Sequence, residues 1–326
     1  MDDDKISLIF FTEGEEFDKN QKLKSNLYPY SRGGFSLLEL CCYHGSVDCF
    51  KLLRTKFQSE ITPDCLRFSF LSGNKDIMNE CLKVQKPDYY CMEYAIISHN
   101  IDFVTFLMNE HNIEIDLEMC SQYKNLQSFL VYLDQTNDIN TCFVYSRHFH
   151  LSSLFEYFIS NGADINAKDE VGCTPLHLVA SENNIEMAEI LISNGADINA
   201  KDGVEATPLH YAASNNSKET AEILISSGAD INAKDESGCT PLHNAIRFIG
   251  KDTAEILISN GADINAKDIY GCTPLHLIAS NNSKETAEIL ISNGADINAE
   301  NKDGSTPLQI EASNNSKETA ENLMLL

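Results

Sequence analysis

Positive charge is scarce in this chain. Its 326 residues hold 24 Lys+Arg against 49 Asp+Glu, a formal net charge of −25. Residues 161–326 hold 10 basic against 26 acidic, which leaves 14 against 23 before them, so both halves are acidic. Surfaces that track phosphate need clustered Lys and Arg, so nucleic acid and anionic membrane are disfavoured as partners, whereas a basic protein partner is favoured. Long apolar runs are missing too. The opening Met1-Asp2-Asp3-Asp4-Lys5 is acidic, and the run from Ile6 to Phe11, with one serine, is too short for a signal core or a membrane span. No Pro-, Gly- or Ser-rich tract marks a flexible linker. No nucleophile elbow, phosphate-cradling glycine loop or metalloprotease helix occurs, so no enzyme activity and no cofactor are expected. Eleven cysteines are present, an odd number, and eight of them fall before residue 161 at helix-core spacing. Reduced thiols and a cytosolic location follow, with the nucleus left open. The Asn-x-Ser triplets at Asn215, Asn281 and Asn314 are then expected to be unglycosylated.

What the chain does have is repetition. Pro175, Pro208, Pro241, Pro274 and Pro307 stand in register at steps of 33 residues, a period that belongs to stacked supersecondary units. From Asn161 the unit reads NGADINAKDxxGxTPLHxxAsxNxxExAEILIS. Each proline follows a threonine whose hydroxyl can accept the free amide hydrogens of a first helical turn, and proline at the first helical position has no amide hydrogen to leave unpaired. A short helix therefore starts there and stops near Asn183, Asn216, Asn282 or Asn315, where asparagine can turn left-handed. A second apolar helix follows, as in Met187, Ala188, Ile190 and Leu191, and glycine ends it. An extended finger then leads to the next threonine. Helices below about 12 residues are marginal alone in water, so each pair must bury its apolar stripe against its neighbours.

These residues resemble the ankyrin repeat. TPLH stands at 174–177, 207–210, 240–243 and 273–276, and the fifth copy reads TPLQ with Gln309. The resemblance implies an all-α, ankyrin-type helical solenoid with short β-hairpin fingers, and repeats at 161–193, 194–226, 227–259, 260–292 and 293–326. It also implies that the four TPLH histidines hydrogen-bond backbone groups beside the finger. Neighbouring packed helices lie about 8–10 Å apart, too far for these histidines to share a metal. Two local departures, Glu205 in place of a finger glycine and Ile249-Gly250 in place of the asparagine turn, are expected to distort their turns.

Residues 1–160 carry a worn version of the pattern. Ser36 to Leu53 matches the helix-turn-helix of the repeat, and similar turns fall near Gly73-Asn74 and His99-Asn100 at a spacing of about 25–28 residues, because the fingers are cut short. Ile6 to Phe11 reads as the second helix of a unit. The stretches YHGSVDCFKLLRTKF and AIISHNIDFVTFLMNE resemble the helical domain of unknown function that precedes ankyrin repeats in large protein families of protist parasites. About ten stacked helix pairs in one continuous solenoid are expected. Cys41, Cys42, His44 and Cys49 fit no common zinc spacing and fall where the repeat needs small buried residues, so no metal is assigned. Cys173, Cys239 and Cys272 are one helix pair apart, too far to bridge.

A recognition surface remains. The resemblance places it on the concave face made by the fingers and first helices, where most residues are serine and asparagine (Ser181, Ser214, Asn215, Ser280, Asn281). The exceptions are Arg247 and Phe248 on the third first helix, Ile269 and Tyr270 on the next finger, and Val171 and Val204 on the same line of fingers. Arginine and aromatics most often anchor interfaces. The sequence favours a non-enzymatic protein-binding adaptor or inhibitor; a structural spacer or self-assembling scaffold is the alternative that the near-identical fingers support. The final Leu323-Met324-Leu325-Leu326 leaves an internal-type apolar edge, from which weak end-to-end self-association is expected.

Overall fold

A computed structural model describes residues 5–13, 18, 21–24, 33–281 and 284–313. The chain divides into two compact units, Met1–Asp138 and Ile139–Leu326. The first contains α1 (Lys5–Thr12), a two-stranded antiparallel ribbon of β1 (Lys22–Leu23) and β2 (Phe35–Ser36), and four helix pairs. These are α2 (Leu37–His44) with α3 (Val47–Lys56), α4 (Pro63–Ser72) with α5 (Lys75–Leu82), α6 (Tyr89–Ile97) with α7 (Ile101–His111), and α8 (Leu117–Gln122) with α9 (Leu126–Thr136). The first helices α2, α4, α6 and α8 stack in order, α3 packs on α5, and α1 lies against α3. Short polar residues start the helices: Ser36 forms a capping box with Glu39, and the Thr62, Asp88 and Asp116 side chains accept from the third helical amide. Left-handed Gly45, Gly73 and His99 turn the chain from first to second helix. The stack closes over buried Leu38, Leu66, Phe70, Met92, Phe103 and Phe129. Cys41, Cys42 and Cys49 are buried with them, as small core residues should be.

The second unit opens with α10 (Ile139–Ser146), a 3₁₀ turn (Arg147–Phe149) and α11 (Ser152–Ser160), and so begins ahead of the first regular repeat. The pairs that follow are α12 (Pro175–Ser181) with α13 (Ile185–Ser193), α14 (Pro208–Ser214) with α15 (Lys218–Ser226), α16 (Pro241–Arg247) with α17 (Lys251–Ser259), and α18 (Pro274–Asn281) with α19 (Lys284–Ser292); α20 (Pro307–Ser313) starts the fifth copy. First helices stack on first helices from α12 to α20, and α11, α13, α15 and α17 stack as the second row. Leu176, Leu209, Leu242 and Leu275, one per copy, are buried between layers. A ladder of asparagines reinforces the stack: Asn166, Asn199, Asn232 and Asn265 each accept, at 2.8 Å, the N–H of the aspartate that opens the following loop.

The fingers contain no β-strand, contrary to the hairpins expected from the sequence. Each is closed by two backbone bonds, such as Asp169 N–H to the Cys173 carbonyl and Gly172 N–H to the Asp169 carbonyl, both at 3.0 Å, while the Asp169 carboxylate accepts from Val171 at 3.0 Å and Cys173 at 2.8 Å. That carboxylate takes the Cys173 amide, which in a longer hairpin would pair with the Asp169 carbonyl. A single backbone bond of 2.9 Å then joins each finger to the next: Gly203 to Val171, Glu236 to Val204, Ile269 to Ser237 and Lys302 to Tyr270, donor first.

Neither unusual turn is distorted as expected. Glu205 takes φ 64° where Gly172 and Gly238 take 85° and 70°, and Ile249 takes φ 60° where Asn183 and Asn216 take 52° and 53°. Stacking on both sides holds the backbone in its repeat conformation, so the cost is kept as strain on a side chain that disfavours it. Ile249 also removes a bridge. Asn183 Oδ1 accepts from the N–H and hydroxyl of Thr220 at the start of α15, and Asn216 does the same for Thr253 on α17. Ile249 has no such oxygen, and a Lys251–Glu285 ion pair of 2.9 Å crosses that junction. The Asn282 and Asn315 turns and the apolar edge at Leu323–Leu326 lie outside the described residues. Ile249→Asn is expected to stabilise the protein by about 1–2 kcal/mol through relieved strain and the restored bridge; an unchanged urea midpoint would show that the turn stores no strain.

Candidate functional site

The histidine at the third position of each first helix organises the side of the repeats that carries the fingers. The Thr174 N–H donates to His177 Nδ1 at 3.1 Å, and the Thr174 hydroxyl lies 2.9 Å from the same nitrogen. A nitrogen that accepts an amide hydrogen carries none, so the partners assign the Nε2–H tautomer. Nε2–H then donates to the Ala206 carbonyl in the following finger at 3.0 Å. The pattern recurs at Thr207–His210 to Cys239, Thr240–His243 to Cys272, and Thr273–His276 to Ser305, with the second link at 3.1–3.2 Å. The threonine hydroxyl donates to imidazole, and in the capping boxes begun by Thr174, Thr207 and Thr240 its oxygen also faces the backbone N–H of the histidine, as expected of a helix-starting threonine. The fifth copy builds the same box with glutamine: Gln309 N–H reaches Thr306 Oγ1 at 3.4 Å, and Gln309 Oε1 accepts from the Thr306 N–H at 2.9 Å. Burial pushes all four histidines below the ordinary imidazole range.

Beside this relay the first helices turn further side chains toward the fingers. The Tyr211 hydroxyl donates to Asp202 Oδ2 at 2.8 Å and lies 3.0 Å from Cys173 Sγ, which leaves the thiol as donor in that contact. Its ring meets His177 edge-on at 5.2 Å. Arg247 reaches back along α16, Nη2 lying 3.4 Å from the Cys239 sulfur. Cys173 and Cys239 are buried, and both thiols are pushed up by that burial. Among the described residues no group of three or more His, Cys, Asp or Glu is placed to hold a metal ion.

The six residues singled out from the sequence separate into two places. Val171, Val204 and Tyr270 occupy one repeat position on three fingers, with Ser237 between them, and are 66%, 54% and 66% exposed. Their carbonyls accept the bonds that join the fingers, so they form a row. Ile269 is exposed next to Tyr270. Phe248 lies at the opposite end of α16, about 10 Å along a seven-residue helix from the finger. The exposed Arg247 side chain spans part of that length. Ile249, 58% exposed beside Phe248, was missed as a surface residue, since the sequence marks it only as a replaced turn residue.

Family comparison fits this geometry. The family model described as Ankyrin repeats (3 copies) matches residues 117–202, 142–235, 202–268 and 242–325. The chain belongs to the ankyrin-repeat family. A second family model, described as Domain of unknown function (DUF3447), matches residues 57–132. Among curated proteins none matches this sequence. Ankyrin repeats are protein–protein interaction modules, and proteins built from them are generally non-enzymatic. The ankyrin match begins at residue 117, so it takes in helices ahead of the five regular copies. Among the described residues no helix is long and apolar enough to cross a membrane.

The histidine relay makes ankyrin stability depend on pH. Each imidazole is held below its unfolded value, so the unfolded chain binds the proton more readily; this stability is full above about pH 6.5 and is lost as pH falls below it, by at most about 1.4 kcal/mol per pH unit for each histidine. His210→Gln, which copies the fifth repeat, is expected to keep the cap and flatten the fall in urea stability between pH 7 and pH 5.5. An equally steep fall in the variant would mean that the buried histidines do not set it.

Proposed function

We propose that this ankyrin-repeat chain is a non-enzymatic adaptor or inhibitor that holds a basic protein partner against the finger and first-helix side of its regular repeats. The row of Val171, Val204 and Tyr270 carries the reading. Three exposed apolar side chains recur on fingers joined by backbone bonds, so they are presented without further ordering on binding. Arg247, braced by Cys239, and Ile269 extend the row, and Phe248 with Ile249 adds a second apolar contact at the far end of α16. The charge of −25 favours encounter with a basic partner in either place. A partner of this kind would reside in the cytosol or nucleus, where free cysteines persist.

A structural spacer is the competing reading, supported by the near-identical polar residues of the other copies, Ser181, Ser214 and Asn215. The two separate on one experiment. Tagged wild type and the variants Tyr270→Ala and Arg247→Ala, both at exposed positions and expected to change stability by less than about 0.5 kcal/mol, are used to recover partners from native cells by crosslinking. The interaction reading expects a protein recovered with wild type, weakened by either substitution and by raised salt. Equal recovery with all three would move the partner elsewhere, and a spacer would recover nothing above an unrelated acidic control.

A further inference from the structure

In the second unit each buried histidine stands six residues before the left-handed residue that ends its first helix: His177 before Asn183, His210 before Asn216, His243 before Ile249. The same six-residue count back from Gly45, Gly73 and His99 in the first unit reaches Glu39, Arg67 and Glu93. Two of these keep the histidine's task of joining neighbouring repeats. Glu39 accepts from the Ser36 N–H and from the Thr62 hydroxyl of the following repeat, both at 2.7 Å. Arg67 donates to Asp64 at 2.8 Å and, through Nε at 3.0 Å, to Asp88, which caps the following first helix.

Glu93 breaks the series. The cap of the next first helix is Asp116, a second carboxylate, and it accepts instead from the Tyr89 hydroxyl at 2.6 Å and the Met119 N–H at 3.1 Å. Glu93 is only 9% exposed, and among the described residues its carboxylate has no hydrogen bond or ion pair. Burial first, and Asp116 second, raise it above the usual carboxylate range. Its oxygens keep contact with solvent at the cavity, but a carboxylate this far withdrawn from water and without a protein partner favours a cation brought to it. Glu93 lines a cavity of about 360 Å³ together with Phe35, Asp64, Arg67, Phe68, Tyr90 and Tyr94. Phe68 meets Phe35 edge-on at 5.0 Å and Tyr94 at 5.6 Å, making an aromatic wall. The one cation there is already engaged, since Arg67 is held by Asp64 and Asp88 and stacks 4.6 Å over the Tyr90 ring. The cavity thus offers a cation one carboxylate without a protein partner beside an aromatic wall, and offers an anion only an occupied guanidinium. A metal ion would need more oxygen, nitrogen or sulfur ligands than these walls supply.

We propose that this cavity binds an alkylammonium group, from a lysine side chain or a free small amine, with Glu93 as its counter-ion and Phe35, Phe68 and Tyr94 around its alkyl stem. A compact ammonium fits beside Arg67 better than a second planar guanidinium, which needs a carboxylate edge to itself. The site belongs to the first unit and stands independently of the finger-side reading.

Calorimetric titration of the full chain tests it, using n-butylammonium chloride and N-acetyl-lysine methylamide, with N-acetyl-norleucine methylamide and sodium chloride at matched ionic strength as neutral and salt controls. Saturable binding of an ammonium probe at one equivalent is expected, with none for norleucine. Binding of both ammonium probes assigns the site to any alkylammonium, and binding of the lysine amide alone assigns it to a peptide. Glu93→Gln should weaken the binding at least about tenfold while melting no lower than wild type, because it removes repulsion from Asp116. Phe35→Leu, which leaves the charges in place, should weaken it about threefold or more. No saturation by either probe up to about 10 mM, or undiminished affinity in Glu93→Gln, would overturn the proposal.

Discussion

A first helix of seven residues, such as Pro208–Ser214, cannot persist in water on its own account. It persists because a neutral imidazole at its third position accepts from the residue that starts the helix and donates into the finger of the following repeat. The bond is buried, so its loss would leave an amide, a hydroxyl, a ring nitrogen and a carbonyl short of partners in the same small volume. Leucines between layers supply the apolar burial, while the relay fixes the register in which they meet. The asparagine ladder and the finger-to-finger backbone bonds lie on either side of it and repeat with the same period.

The first unit solves the same problem with other chemistry. Glu39 joins its own cap to the next repeat's Thr62, and Arg67 joins Asp64 to the next repeat's Asp88. These are charge-assisted bonds at the place where the regular copies use a neutral one. Charge brings a constraint that imidazole does not, because the partner must have the opposite sign or a hydrogen to give. At Glu93 the next cap is Asp116 and the condition fails. An unmatched carboxylate at a packed position is the kind of local conflict that a folded chain keeps where it has a use for it.

Proline and histidine spacing made the regular repeats readable from the sequence, since both residues act at fixed positions of a short helix. Side-chain roles within that frame were less readable. Thr174 reads as an amide acceptor, which its capping box bears out, but its second role as a donor to the His177 lone pair shows only when the imidazole is seen turned back toward it. Glu205 and Ile249 suggest deformed turns because a sequence shows only local preference, whereas stacking from both sides forces the backbone. The finger row was half legible: Val171, Val204 and Tyr270 could be aligned by period, but the separation of Phe248 from them depends on which end of α16 each occupies. The Glu39, Arg67 and Glu93 series was hidden because shortened fingers change the spacing between copies, and only the positive-φ residues restore a common origin.

Native-state hydrogen exchange in the regular repeats tests the relay most directly. The amides of Thr174, Thr207, Thr240 and Thr273, which donate to imidazole, should exchange together with the finger amides of Glu236 and Ile269, all through one opening whose free energy falls with denaturant. Threonine amides that exchange through small, denaturant-independent openings, while the finger amides remain protected, would contradict the account, because the histidine would then decorate the stack instead of holding it in register.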